Sequence, residues 1–504
     1  MKLNKENLGK IDASLNTEIN RIQLPEKVLQ FGTGVLLRAL PDYFIDKANR
    51  RGIFNGRVVL IKSTDRGDTN DFNEQDSLYT IGIRGVDGDN KVELNIINSA
   101  ISRVLSAKTE WQKILDVAAS ETLEIIISNT TELGIELIRE DIQKGTPVSY
   151  PGKLLAILYH RYKVFNADEN KGLIILPTEL ITDNGIKLRN ILFELAEHNK
   201  LEPEFIKWLG FNTFCNTLVD RIVPGKPDEN TLKRLEQELG YRDELFVFSE
   251  VYSLWAIEGD ERIRKILSFE QADEGVIIAS DITMYKELKL RLLNGTHTLS
   301  CAAAFLSGLG TVCDAMEDSV MSGFISSLMQ DELARAIPYP VAREQALQFS
   351  AKVLDRFRNP HIRHQWLSIS VNYSMKLKMR VIPVLLNYYK NYQSVPKFIA
   401  VGFAAYLRFM QTEELNGAYY GSSNNMRYQV DDEWASYYSG LWKEYDVNEM
   451  VLRALSNTEL WDVDLSQLPA FVETVQDSLR NIMEVGTRKT IEMMNRDYTE
   501  TNPA

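Results

Sequence analysis

Pro25 to Leu40, PEKVLQFGTGVLLRAL, passes from a short β-prone apolar run through Gly32, Thr33 and Gly34 into a segment with helical apolar spacing that carries Arg38. Strand, glycine turn and helix in that order are the opening of a dinucleotide-binding unit. The first glycine permits the tight turn, and the second lets a pyrophosphate approach the backbone. The helix N-terminus then offers free N–H groups and partial positive charge. Leu37 stands where the third glycine of GxGxxG would be. A GxG after a strand is weak on its own, so its surroundings decide.

Residues 57–64, RVVLIKST, supply a second strand at the distance a strand–helix–strand unit needs, followed by Asp65. An acid there accepts hydrogen bonds from the adenosine ribose and repels a 2′-phosphate, which favours NAD over NADP; Lys62 is the counter-argument. Further apolar runs at 122–134 (TLEIIISNTTELG) and 172–180 (GLIILPTEL) continue the pattern between helical segments. The expected fold is therefore an α/β Rossmann-type doubly wound sheet over residues 1–280. From Asp281 onward strand signals fade and apolar residues recur every three or four positions, so 281–504 is expected to be a predominantly α-helical domain. Residues 230–275 are mixed and blur the boundary. Residues 417–440, rich in Gly, Ser, Asn and Tyr, read as a long loop that could act as a lid.

At 504 residues the chain is too long for one core. Its net charge of −13 argues against nucleic acid and anionic membranes as partners. An anionic ligand must be captured by local cations. Three cysteines without CxxC spacing support neither a disulfide framework nor a zinc site, and with no signal-peptide pattern the expectation is a cytoplasmic protein, monomeric or a small homo-oligomer. His361 and His364, three apart in NPHIRHQ, could share a metal, but a polar loop explains them equally well, and no metal is expected.

The chemistry-bearing run is KELKLRLLNGTHT, with Lys289, Asn294 and His297 at offsets of five and eight residues. On a regular helix Asn294 falls about 140° and His297 about 80° round from Lys289. A lysine takes a proton from an alcohol only when its amine is neutral, which requires burial or a neighbouring cation. His297 could orient that amine, and Asn294 could donate to an oxygen that gains negative charge. An ordinary amphipathic helix with a capping asparagine accounts for the same spacing; the dinucleotide-type N-terminus favours the catalytic reading.

Together four stretches resemble the polyol-specific long-chain dehydrogenases, the mannitol dehydrogenase family, over nearly the whole chain. FGTGVLLRA looks like the family's cofactor turn, with Leu36 in place of Phe. QDSLYT (75–80) is similar to its QDGLYT, FCNTLVDRIVP (214–224) to its VDR signature, and KLRLLNGTH (289–297) has the spacing of its catalytic Lys, Asn and His. The resemblance implies NAD-dependent, metal-independent oxidoreduction, with Lys289 as acid/base, Asn294 as oxyanion donor and His297 as orienting partner. Phe31, Gly32, Thr33, Gly34, Arg38 and Asp65 would meet the cofactor, and Asp220 a substrate hydroxyl. LWAIEG (254–259), PTELITDNG (177–185) and LLNGTHT are similar to forms carried by uronate-acting members. This implies a small sugar-acid substrate, with Lys376 and Arg380 as candidates for its carboxylate. A sister uronate or a plain polyol remains open, as does a non-catalytic NAD-binding sensor. Departures are Thr178-Glu179-Leu180 where mannitol-type members carry CDN, leaving Asn184 as a nearby second donor. Lys286 replaces the family's gating glutamate, with Glu287 one position closer, and Ser368 stands where the family has an arginine.

Overall fold

The computed structural model describes residues 1–12, 14–15, 19–64, 69–88, 90–130, 134–424 and 426–501. The chain divides into two compact units, Met1–Arg84 with Val92–Ile282, and Gly85–Lys91 with Thr283–Ala504. The short piece Gly85–Lys91 belongs to the second unit although it lies within 1–280; it takes in the end of the strand Tyr79–Asp87 and the start of Asn90–Asn98, which are adjacent in one sheet.

Unit 1 is built on six strands: β1 (Glu26–Phe31), β2 (Arg57–Lys62), β3 (Ile101–Ser106), β4 (Ile125–Ser128), β5 (Ile174–Pro177) and β6 (Thr213–Phe214). Their order is β3-β2-β1-β4-β5-β6, and every pairing is parallel. The chain thus fills one side of β1, then the other, and the end of β1 is the topological switch point where ligands bind in such sheets. The strands read as continuous apolar runs because both faces are covered. Alternate side chains part to the two faces: Val28, Val58, Leu60, Ile125 and Ile127 enter one core, while Leu29, Phe31, Val59, Ile61 and Ile126 enter the other. Helices Trp111–Ala118, Tyr150–Val164 and Asn184–His198 pack on the second face through Ile114, Leu154, Leu188 and their neighbours.

The mixed region 230–275 resolves into short, well-punctuated elements. Asp228 caps the helix Glu229–Leu239 by accepting from the Thr231 N–H at 2.9 Å, and Gly240, at φ +76°, ends it. Leu254–Glu258 pairs parallel with Val276–Ala279 and antiparallel with Thr217–Asp220, making a separate three-stranded sheet.

Unit 2 is mainly helical. Its centre is α2 (Gly295–Leu306), all twelve residues of which are buried, crossed by α5 (Lys397–Phe409). The crossing is close enough that a Cβ on Gly402 would lie 2.8 Å from Leu299 Cδ2 and 3.2 Å from its carbonyl. Around them lie α3 (Arg343–Phe357) and α4 (Tyr373–Arg380). The expectation of a long loop at 417–440 is overturned. Thr412–Leu415, Ala418–Ser423 and Met426–Val430 form an antiparallel meander, and Ala435–Glu444 is helical. The first turn is Asn416-Gly417 with φ of +52° and +78°, a dipeptide that favours tight hairpins because both residues tolerate left-handed backbone. Asp432, just past the meander, accepts from the Ser374 N–H and hydroxyl, each at 2.7 Å, and so ties this sheet to the start of α4.

Candidate active site

In unit 1 the glycine turn stands at the carboxyl end of β1. Gly32 has φ +129°, and a Cβ there would lie 3.0 Å from Leu37 Cδ1 and 3.3 Å from the Asn129 carbonyl oxygen. Only glycine fits without strain. Gly34 caps α1 (Val35–Ala39) with no side-chain bond, and nothing lies within 4 Å of the position its Cβ would take. Gly34 is exposed, with Gly32 and Thr33 half-buried beside it. This accessible backbone at the switch point fits the pyrophosphate of a dinucleotide. Leu37, in the place of a third glycine, is buried against the turn.

Two residues expected at the cofactor are committed elsewhere. The Phe31 ring lies in the core, edge-on to Tyr150 at 4.9 Å. Arg38 is buried; it donates to the Leu245 carbonyl and lies over the rings of Phe72 and Tyr79 at 5.7 and 5.4 Å. Asp65 lies outside the described residues.

Arg38 belongs to a brace drawn from three of the sequence motifs. A short helix leaves its last carbonyls unpaired. Here the Tyr79 hydroxyl donates to the Arg38 carbonyl at 2.8 Å, and Arg221 Nη1 donates to the Ala39 carbonyl at 2.5 Å. Arg221 also donates to the Glu250 carbonyl and stacks over Tyr43. Gln75 and the Thr80 N–H bind the buried Asp243, whose segment leads to Leu245. QDSLYT and VDR therefore steady the helix behind the glycine turn. Within QDSLYT, Asp76 and Ser77 have φ of +50° and +60°. Left-handed backbone costs a non-glycine residue about 1–2 kcal/mol, against about 0.5–1 kcal/mol of chain entropy that glycine loses. Ser77→Gly is therefore expected to raise the urea midpoint, corresponding to about 0.5–1 kcal/mol; a lower midpoint would contradict this account.

Asn184 does not offer a donor to substrate. It is 1% exposed, its Nδ2 faces the carbonyls of Pro177, Glu179 and Thr217 at 3.0–3.2 Å, and its Oδ1 accepts from the Thr217 N–H. It knots the end of β5 to Thr217–Asp220. Asp220 is buried at the carboxyl end of that strand. Glu179, in the place of the CDN acid, is buried and accepts from the Thr130 N–H and hydroxyl and the Ser128 hydroxyl, yet burial still raises its pKa.

In unit 2 the Lys–Asn–His run departs from a regular helix. Lys289–Asn294 is π-helical, and the Gly295 N–H reaches back to the Leu290 carbonyl, five residues away. Such wide turns concentrate at functional sites. The wide turn brings Asn294 back toward the side of Lys289, correcting the wide angle expected from a 3.6-residue period. Lys289 and Asn294 are half-buried. Among the described residues nothing bonds to the Asn294 side-chain amide, in contrast to Asn184. The Asn294 backbone carbonyl accepts from Thr298 Oγ1 at 2.7 Å, and Thr298 Oγ1 in turn accepts from Arg380 Nη1 at 3.0 Å.

Arg291, inside the π segment, is paired with Glu287 at 2.8 Å and donates to the Met379 and Arg380 carbonyls. Glu287, one position closer than the family's gating glutamate, thus pairs with the arginine that anchors the π segment to α4. His297 lies flat on Phe357 at 4.3 Å and meets the rings of His364 at 5.2 Å and Trp366 at 6.2 Å edge-on. Burial, with His364, Arg356 and Arg380 beside it, holds its pKa well below the ordinary value, so the ring is neutral. Lys376 donates to the Ile369 carbonyl at 2.9 Å, and burial followed by Arg380 lowers its pKa. Lys376 and Arg380 are thus brought to one side of α4, near the Lys–Asn–His run. Arg356 and His364 are additions that sequence reasoning did not place here; the only signal was a histidine in a polar stretch.

A switch-point glycine turn in one unit, and in the other a Lys–Asn–His run that begins on a π segment, fit one class: the dinucleotide-dependent oxidoreductases of alcohols. Family models agree, the mannitol dehydrogenase Rossmann domain matching residues 26–271 and the mannitol dehydrogenase C-terminal domain residues 281–483. The chain belongs to the mannitol dehydrogenase family. It is 36% identical to the altronate oxidoreductase of Halalkalibacterium halodurans, over 96% of this chain and 97% of that protein. With that of Bacillus subtilis it shares 37% identity, over 93% and 95%. Its fold resembles Pseudomonas fluorescens mannitol 2-dehydrogenase, solved as a ternary complex with NAD and D-mannitol (TM-score 0.66, 22% identity, 98% and 100% of the two chains). It also resembles a substrate-free D-sorbitol dehydrogenase (TM-score 0.75, 20% identity, 97% and 100%).

Proposed function

We propose that the protein interconverts D-altronate and D-tagaturonate with NAD as its cofactor, in the catabolism of hexuronates. The observation that carries this reading is near-complete coverage of relatives named altronate oxidoreductase, at 36–37% identity. The chain's own groups suit the chemistry. Bound at the Gly32–Gly34 turn, the nicotinamide dinucleotide supplies the hydride exchange. Lys289 takes the alcohol proton in oxidation and returns it in reduction. The amide of Asn294 donates to the oxygen that bears negative charge, and neutral His297 orients the amine. Lys376 and Arg380 supply local positive charge for the carboxylate of a sugar acid, which the overall charge of −13 would otherwise repel. Asp220 is assigned to a substrate hydroxyl.

Among the described residues no helix is long and apolar enough to cross a membrane, and Cys215, Cys301 and Cys313 are buried free thiols. Both suit a cytoplasmic enzyme, monomeric or a small homo-oligomer. The test is NADH oxidation by the purified protein over tagaturonate, fructuronate and fructose. Preference for tagaturonate is expected. Preference for fructuronate or fructose would move the assignment to mannonate or a polyol, and NADH binding without turnover of any of them would make the protein a sensor.

A further inference from the structure

We propose that His364 is a specificity-determining residue, which donates its ring N–H to the carboxylate of the sugar acid and, with Lys376 and Arg380, separates uronates from neutral sugars. The inference rests on the sugar-acid reading above and adds a residue to that same site.

Three observations carry it. The first is position. The His364 ring stands edge-on to His297, 5.2 Å between centroids and 85° between planes, and the residue after His297, Thr298, receives Arg380 Nη1 at 3.0 Å. His364 therefore adjoins the same turn of α2 as Arg380, from a different segment of the chain. The second is rigidity. Residues 310–312 and 364–366 are joined by backbone bonds, Val312 N–H to the His364 carbonyl at 3.0 Å and Trp366 N–H to the Gly310 carbonyl at 3.1 Å, around the bridge between Thr311 and Gln365. A histidine fixed in this way is held as a recognition group must be. The third is an uncommitted donor. His364 is half-buried, and among the described residues nothing bonds to its ring nitrogens. Its ring N–H is therefore free to be taken up by a ligand acceptor in exchange for water.

The charges around it agree. Burial, then Arg356 and Lys376, keep the His364 pKa below the ordinary value. The ring is a neutral donor near neutral pH, and the cations that hold it so also favour an anionic ligand. A neutral imidazole bonds a carboxylate through one N–H without taking up a proton.

The experiment compares wild type, His364→Phe and His364→Gln with tagaturonate and with tagatose, the ketose of the same configuration ending in a neutral hydroxymethyl group. Phe keeps a ring edge against His297 but has no donor; Gln keeps an N–H. Hydrogen bonds to charged groups imply a loss of about 10- to 100-fold in kcat/KM for tagaturonate in His364→Phe. The rate with tagatose should change less than about twofold. His364→Gln should recover most of the discrimination between the two. Equal losses on both substrates, or an unchanged ratio in His364→Phe, overturn the proposal. A wild type that reduces no keto-uronate overturns the sugar-acid reading itself, and the inference with it.

Discussion

Lys289→Ala is expected to lower the rate of altronate oxidation and of tagaturonate reduction by about 10²–10⁴-fold, the usual contribution of a positioned general acid/base. NADH affinity should stay within about twofold, because the Gly32–Gly34 turn and its brace of Tyr79, Arg221 and Asp243 lie wholly in unit 1. The two effects separate chemistry from folding. The π turn sharpens the expectation. With Lys289 and Asn294 one wide turn apart, the amine and the amide can serve a single C–O group, one handling the proton and the other the charge. Single-turnover rates of the variant within tenfold of wild type would move the acid/base role to another group.

The parallel sheet was legible because strands covered on both faces must be apolar throughout. VLQF, VVLI, IIIS and IILP announce themselves without an alignment. The chain names the residue types of a candidate site but not the directions of their side chains. Arg38 and Asn184 look like ligand contacts in the chain, yet one reaches Leu245 and the other three carbonyls. Which way a polar side chain turns depends on acceptors 207 or 33 residues away, and local pattern holds no trace of them. The π turn escaped for the same reason. Arg291 ties it to two carbonyls of α4, tertiary contacts that its local pair with Glu287, an ordinary i,i+4 helix pair, does not announce. The meander was a different kind of miss. Asn416-Gly417 between Leu415 and Ala418 is a local hairpin signal, outweighed in the reading by the surrounding Gly, Ser and Asn. His364 was weighed only as half of a metal pair with His361, whereas the histidine its ring meets is His297, 67 positions earlier.

Replacing Glu332 by glutamine is expected to remove a pH dependence of stability that the buried carboxyl builds into unit 2. Glu332 is 5% exposed, and its two oxygens accept from the Phe398 and Ile399 N–H groups at 2.9 and 2.8 Å, capping the first turn of α5. Those donors favour the ionised form, but burial outweighs them and, with Asp331 nearby, lifts the pKa from its usual 4.5 to about 8. The folded chain therefore holds a proton that the unfolded chain releases above 4.5. Protons bound in excess by the native state make stability fall as pH rises. The full contribution is present below 4.5 and is lost by about 8, with a slope of at most about 1.4 kcal/mol per pH unit. Asp42, buried in unit 1 with its pKa raised to about 7, adds a slope of the same sign, so the informative quantity is the difference between wild type and Glu332→Gln in urea unfolding. At pH 5 the wild type should be the more stable, since both oxygens of its protonated carboxyl can accept from the two N–H groups, whereas the glutamine NH2 would face one of them without a lone pair. That advantage should shrink steadily toward pH 8, because only the wild type pays to bury an ionising group. A gap that stays constant or widens over this interval would mean that the two N–H donors, rather than burial, set the ionisation of Glu332.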